Sequence, residues 1–370
     1  MIIKDIQTFP IRVPILDEGC HNPAFHMSFV HSDEVIVKIV GEDGTYGIGE
    51  AAARLQIYGE TIKSIVAIVE DVIKPRLIGE DSLDIQKLTD KCAGIKCNYC
   101  AKAAVDIALH DLNGKQLGLP VYRLLGGPVR TEVALSWTMS GTRGKWDDQM
   151  EEFSRKVSEG YRSFKFKIGA GCEQDIRFLK TIKGMAPDDC HIYADANTIY
   201  SRREAYSVMK ELEGVIDAVE EPLPINDDQG RVDLAKSVNV DILIDESALT
   251  PEDVYRQIKL GAVGRVGIKV TRTGFTGSGR IAHMAEAAAL PVQICTQIET
   301  DIGSAAALQV AAAFGNISLP CELAFYTDNY PVCFLKTPLK VSSGVMQVPQ
   351  GPGLGVEVDW DMIEKYRLAL

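Results

Sequence analysis

Apolar residues recur along the chain with two different periods. Near the N-terminus IIKDIQTFPIRVP alternates apolar and polar positions, and DEVIVKIVGEDGTYGIGEAA holds two β-rich runs around the turn signal Glu42-Asp43-Gly44. These runs predict an antiparallel meander. Between about Glu60 and Gly118 the apolar spacing becomes three and four, in TIKSIVAIVEDVIKPRLIG and AKAAVDIALHDLNGKQLG, which predicts helices. From about Thr131 onward, short Val/Ile-rich runs alternate with amphipathic stretches. Strands are predicted at 133–137, 163–168, 191–194, 218–219, 242–244, 265–268, 292–295 and 318–321.

Eight strands with helices between them predict an α/β chain whose larger part is a modified (β/α)8 TIM-type barrel, preceded by an α+β N-terminal capping domain. The division expected is 1–125 for the cap, 126–340 for the barrel, and 341–370 for a turn-rich tail that returns to the cap. A doubly wound open sheet is the competing architecture. It normally brings a Gly-rich phosphate turn after its first strand, and this chain has none there.

Polar residues punctuate the ends of the apolar runs at nearly one interval. Lys167, Asp195, Glu220, Asp245 and Lys269 are separated by 28, 25, 25 and 24 residues, the length of one strand, one helix and two short loops. Side chains at successive strand ends meet at one mouth of a barrel. Three carboxylates buried together repel one another, so the arrangement asks for a cation. Asp195, Glu220 and Asp245 are hard oxygen donors with no accompanying histidine or cysteine, a set that selects Mg²⁺, with Mn²⁺ as a substitute. Glu221, Glu246 and Asn197 are adjacent polar groups able to exchange roles with them.

An ion held this way keeps positions for a substrate carboxylate and stabilises the charge that develops when the α-proton leaves. The base is expected to be a lysine whose ammonium is disfavoured by a neighbouring cation. Lys165 and Lys167, two apart on one strand, point the same way. Lys167 is read as the base, Lys165 as the neighbour that lowers its pKa and a contact for the carboxylate, and Lys269 as the group facing the other side of the substrate. Taken singly, a Lys-x-Lys is usually a solvated strand face and a strand-end Asp a helix N-cap or turn residue. Five such positions at the barrel period are far more specific.

The net charge of -12 and pI near 5.1 exclude a general nucleic-acid or anionic-membrane binder. No apolar run reaches membrane-spanning length, and the polar residues in MIIKDIQTFPIRVPIL interrupt any signal-peptide core. Nine scattered cysteines favour reduced thiols and a cytoplasmic protein. Cys92, Cys97 and Cys100 cluster, but no fourth soft ligand lies near them, so small buried helix residues are expected rather than zinc. His21, His26 and His31 lie in a Pro- and Gly-flanked stretch that reads as a loop.

The order Lys-x-Lys, Asp-x-Asn, Glu-x-Pro, Asp-Glu-Ser and Ile-Lys, with AAVDIALHDLNGKQLGLPVYRLLGG from Ala103 to Gly127 and the late PQGPGLGVEVD, resembles the muconate-lactonizing-enzyme subgroup of the enolase superfamily. The resemblance covers essentially the whole chain. It implies that Asp195, Glu220 and Asp245 bind Mg²⁺ and that Lys167 and Lys269 are paired acid/base catalysts. Mandelate-racemase-like members carry a barrel histidine where this chain has Lys269. Family specificity sits on the capping loops, here 17–29 and 51–61, and on the last barrel strands.

The resemblance therefore implies a small carboxylate substrate, a racemase or epimerase acting on an amino-acid derivative, and a homo-oligomer. A cycloisomerase or a β-eliminating dehydratase is the alternative. Dipeptide epimerases of the family hold the substrate ammonium with an Asp-x-Asp after the eighth strand. Here the segment is CELAFYTDNY, with Glu322 alone. Candidate substrate contacts are Asn197, Glu299, Glu322, Phe325, Tyr58 and Phe25, with Tyr326 a further aromatic able to enclose a substituted ammonium. Glu299 is also placed to orient Lys269. Outside this class, a Schiff-base aldolase and a non-catalytic barrel compete, the first opposed by the three strand-end carboxylates and the second by the filled catalytic positions.

Overall fold

The structure, a computed structural model, describes residues 1–16, 21–22, 27–28, 30–139 and 145–370, with backbone alone at 21–22 and 27–28. The capping loop 17–29 lies largely outside the described residues, and Phe25 with it.

The alternating N-terminal runs form an antiparallel sheet of β1 (Ile3–Pro14), β2 (His31–Gly41) and β3 (Tyr46–Ala52). The Asp43 carboxylate accepts from the Thr45 amide at 2.8 Å and closes the turn between β2 and β3. Helix α1 (Tyr99–Leu117) lies across this sheet. Its apolar residues run all round it because its other side packs on a barrel helix. The helix approaches β3 so closely that an added Cβ on Gly49 would lie 2.0 Å from the Ala104 carbonyl oxygen. Only glycine fits there.

Seven strands follow in one parallel sheet in chain order: β4 (Trp137–Thr138), β5 (Ser163–Lys167), β6 (His191–Asp195), β7 (Ala218–Glu220), β8 (Asp241–Ile244), β9 (Arg265–Ile268) and β10 (Val292–Ile294). Residues 319–322 close the ring. The Glu322 amide donates to the Ile294 carbonyl of β10 at 2.8 Å, while Cys321 exchanges bonds of 2.8 Å with Ala134 and Ser136 beside β4. The predicted strand 318–321 is therefore a bridging segment, not a regular strand. The predicted strand 133–137 divides. Glu132–Ala134 pairs antiparallel with Val345–Gln347 of the tail, and only Trp137–Thr138 joins the barrel.

The period of two along each strand sorts side chains between barrel interior and helical layer. In SFKFK, Phe164 and Phe166 face outward to Phe153 (ring centroids 4.7 Å apart) and Phe178 (5.5 Å), which leaves Lys165 and Lys167 inside. Tyr193, Ala218, Leu243 and Cys295 form a small interior cluster. The tail runs back along the cap. The Leu354 amide donates to Asp111 of α1 at 2.7 Å, Trp360 packs on Phe9, and the Leu368 amide donates to the Pro10 carbonyl at 2.8 Å.

Among the described residues every cysteine is free, with Cys92 and Cys100 buried, and no helix is long and apolar enough to cross a membrane.

Gly49→Ala is expected to lower stability by about 3 kcal/mol, since a methyl group has nowhere to go between strand and helix backbones. Urea unfolding checks this, and an unchanged midpoint would show that α1 can shift away from β3.

Candidate active site

Register brings the punctuation residues to one level. Lys167 lies opposite Asp195 and Asp195 opposite Glu220, while Asp245 and Lys269 directly follow β8 and β9. Lys167 pairs with Asp195, and Lys269 with Asp245. Lys165 lies 3.2 Å from Glu220, 2.7 Å from Glu322 and 3.8 Å from Asp195. The three proposed ligands are each 1% exposed, so these are buried charges that need partners.

Glu220 and Glu221 diverge because they are consecutive. Glu220 faces Lys165. Glu221, with φ of 40°, faces away and accepts from the Asp245 amide (2.6 Å), the Ser247 amide (2.9 Å) and the Ser247 hydroxyl (2.6 Å), while Arg231 approaches it at 3.6 Å. It holds the loop that presents Asp245. Asn197 accepts from Lys167 at 3.1 Å and donates to Glu246 at 2.9 Å, and so links two sides of the cluster.

The electrostatics follow from burial. Desolvation drives the Glu220 carboxyl well above its usual range, and Asp195 adds to the shift against the opposing charge of Lys165. Glu246 is pushed up to about 8 by burial and by the charges of Asp245 and Asp195. For Asp245 the burial penalty is outweighed by Lys269 and Arg272, which hold it below the usual carboxylate range. Burial lowers the ammonium pKa of Lys165, but Glu220, Glu322 and Asp195 together outweigh it and leave the group well above its ordinary value. Lys269 behaves alike: burial lowers its ammonium pKa, but the charge of Asp245 above all leaves it well above the ordinary value. In both lysines the nearby carboxylates outweigh the cost of burial.

The cluster suits a hard divalent cation. Carboxylate oxygens of Glu220, Asp245 and Glu246 lie within 4.8 Å of one another, and Glu246 Oε2 is buried without a hydrogen-bond partner. A second grouping, Glu220, Cys295 and Glu322, lies just below.

The remaining candidates separate. Glu322 receives Lys165 on one oxygen and the Tyr193 hydroxyl, at 2.6 Å, on the other, so both are engaged. It lines a small cavity with Trp137, Thr138, Thr296 and Phe325. Phe325 turns its ring toward Tyr330 at 5.8 Å. Tyr58 is buried, accepts from Gln297 at 2.9 Å, and lies 5.9 Å from the Arg272 guanidinium. Tyr326 is buried. Glu299 turns back onto its own loop, accepting from the Gln297 amide (2.5 Å) and the Thr296 hydroxyl (3.1 Å).

Both halves of the chain match known sequence families. Residues 148–362 match the enolase C-terminal domain-like family, and residues 11–126 match the N-terminal domain of mandelate racemase and muconate lactonizing enzyme. The chain belongs to the mandelate racemase/muconate lactonizing enzyme family, within the enolase superfamily. It is 27% identical to the N-succinyl-L-Arg/Lys racemase of Bacillus cereus, across 99% of this chain and 98% of that one. It is 31% identical to the L-Ala-D/L-Glu epimerase of Clostridium acetobutylicum, across 85% and 87% of the two. The solved 2-chloromuconate cycloisomerase of Rhodococcus opacus 1CP superposes with a TM-score of 0.93 at 27% identity over the whole of both chains.

Sequence reasoning about this family member missed Arg272, which donates to Asp245 Oδ1 at 2.7 Å and to the Ala248 carbonyl at 3.2 Å. Its signal was its place three residues after Lys269, on the same side of a helical turn. Tyr193 was missed as well, though it shares the inward parity of Asp195 two residues on.

Tyr193→Phe is expected to lower stability by about 1–3 kcal/mol while the fold is kept, because a buried carboxylate loses its donor. Chemical denaturation checks it. An unchanged midpoint would mean that the hydroxyl carries none of the burial of Glu322.

Proposed function

We propose that the protein removes the α-proton of a carboxylate substrate, with Asp195, Glu220 and Asp245 holding Mg²⁺, or Mn²⁺ in its place, and Lys167 and Lys269 moving the proton. One observation carries this reading. The two lysines rise from β5 and β9, four strands apart in the ring, on either side of the buried carboxylates. When bound, such an ion would supply Lewis-acid stabilisation of the negative charge that develops on the substrate carboxylate, and it would take up part of the Asp245 charge that holds the Lys269 ammonium.

The chain's own groups then divide the work. Lys165, 3% exposed and paired with Glu220 and Glu322, acts as a fixed positive charge near the substrate carboxylate. Lys167, with a quarter of its side chain exposed, opens toward the mouth. Asn197 steadies it against Glu246. Two proton carriers on opposite faces suit a racemase or epimerase, in which one takes the proton and the other returns it.

We assign the substrate to the N-substituted amino acids. Glu322 is spent on Lys165 and Tyr193, so among the described residues a free ammonium on the substrate would find no unpaired carboxylate in the cavity beside Phe325, whereas an acylated nitrogen needs none. The racemase relative, named for N-succinylated Arg and Lys, agrees with this choice. Cycloisomerisation is the second reading, favoured by the superposition on the chloromuconate enzyme. Incubation of N-acyl amino acids with the enzyme and Mg²⁺ in deuterium oxide separates the two. Exchange with inversion supports a racemase, lactone formation from a muconate supports the second reading, and no exchange with any carboxylate would overturn both.

Calorimetry tests the metal assignment. Glu220→Ala is expected to weaken Mg²⁺ binding by more than about 10²-fold with the fold intact, and an unchanged affinity would remove Glu220 from the ligand set. The lysines are tested by exchange from each enantiomer. Lys167→Ala should stop exchange from one and spare the other, and Lys269→Ala should do the reverse. Wild-type turnover in both variants would sink the two-lysine mechanism.

A further inference from the structure

The cap holds one of these lysines from a distance. Helix α2 (Val270–Ala287) begins immediately after Lys269 but is broken at Gly274, whose φ of 64° and ψ of -174° are not helical. The part before the break is a single turn, tied to Lys269 by bonds from the Arg272 amide (2.9 Å) and the Thr273 amide (3.0 Å) to its carbonyl. That turn carries Arg272 to Asp245 Oδ1 at 2.7 Å and sets Lys269 against the other oxygen of the same carboxylate. One turn of helix is unstable by itself, since nucleation fixes several residues for a single hydrogen bond.

The part after the break starts on a residue of the other domain. Asp106, in α1 of the cap, accepts from the Phe275 amide at 2.6 Å and the Thr276 amide at 3.0 Å on one oxygen, and from the Thr276 hydroxyl at 2.5 Å on the other. It acts as an N-cap supplied in trans, with its charge at the positive end of the helix. One turn further along α1, His110 packs on Phe275 with ring centroids 5.2 Å apart. The break itself depends on this contact. A Cβ on Gly274 would lie 2.6 Å from Asp106 Oδ2, so the cap carboxylate occupies the space that a side chain would need.

We propose that Asp106 is a positioning residue for Lys269: by capping the second part of α2 from the cap domain, it fixes the turn that delivers Lys269 and Arg272 to Asp245. This rests on the reading of Lys269 as a proton carrier. It predicts that loss of Asp106 reproduces the loss of Lys269 in kind and spares the Lys167 side, which rises from β5, four strands away from β9 in the ring.

The test compares full-length Asp106→Ala, Asp106→Asn and Lys269→Ala with saturating Mg²⁺, each well below its own unfolding midpoint, on an N-acyl amino acid that the wild type exchanges. Asp106→Ala is expected to slow by about 10²-fold the exchange that Lys269→Ala abolishes, with KM unchanged and the Lys167-dependent exchange at its wild-type rate. Asp106→Asn keeps an acceptor oxygen and falls between. Equal loss on both sides, or no loss, overturns the proposal.

Amide hydrogen exchange supplies a readout independent of turnover. In Asp106→Ala, loss of protection should reach back from Phe275 through the Arg272 and Thr273 amides, and loss confined to Phe275 and Thr276 overturns the proposal. If the wild type exchanges no carboxylate, the proposed reaction falls, and the amide pattern alone decides whether Asp106 controls the turn.

Discussion

Burying several carboxylates at one place is the constraint around which this molecule is arranged. Asp195, Glu220, Asp245, Glu246 and Glu322 are almost inaccessible to water, and an unpaired charge in such a position costs several kcal/mol. Each cation nearby is placed to meet that cost. Lys165 bridges three carboxylates, Lys167 and Lys269 take one each, and Arg272 shares Asp245. The groups suited to move a proton are therefore the same groups that make the acidic cluster tolerable. Catalytic and structural roles cannot be separated here by looking for a residue that does only one of them.

The cap takes part through the same physics. Three of its charged residues end on barrel backbone. Asp106 caps the second part of α2. Glu50 of β3 accepts from the Thr300 and Gly303 amides, at 2.8 and 2.7 Å, at the start of the helix Asp301–Ala313. Arg54, paired with Glu34 at 2.6 Å, donates to the Gln297 carbonyl after β10. Helix N-termini and loop carbonyls at the mouth are the barrel's unsatisfied backbone groups, and the cap satisfies them with side chains. Cap position and the loops after β9 and β10 are thus tied together.

This explains what could be read from the sequence and what could not. Strand positions from β5 to β10 were legible because parallel barrel strands are short continuous apolar runs, and the polar residue ending each run marks the mouth. The five-membered pattern from Lys167 to Lys269 was legible because it depends on strand length and parity alone. The first and last barrel strands were misjudged. Residues 132–134 pair with the tail, and 319–322 make too few regular bonds for a strand, and both depend on contacts with segments far away in sequence. The pairing of Glu322 with Tyr193 and Lys165 was invisible for the same reason, since two strands and the closing segment contribute to it. Asp106 lay inside a segment that matched the family, yet its partner, the break at Gly274, stands 168 residues further on.

The position of Glu322 also sets the charge balance beside the cluster. A carboxylate at the end of the closing segment would attract a substrate cation if it were free, but here Lys165 neutralises it and Tyr193 orients it from below. The cavity beside it then presents the hydroxyl of Thr138 and the ring of Phe325, while the Thr296 hydroxyl is taken by Glu299 and no uncompensated charge stands among its described lining. Thr138 Oγ1 is buried there without a hydrogen-bond partner, so a neutral acceptor or donor on a ligand gains a bond that the protein alone does not make. Buried charge is thus concentrated at the carboxylate cluster, and an unsatisfied neutral hydroxyl lies beside it on β4. Under the reading proposed above, an N-acyl amino acid would set its carboxylate toward the first and its amide toward the second.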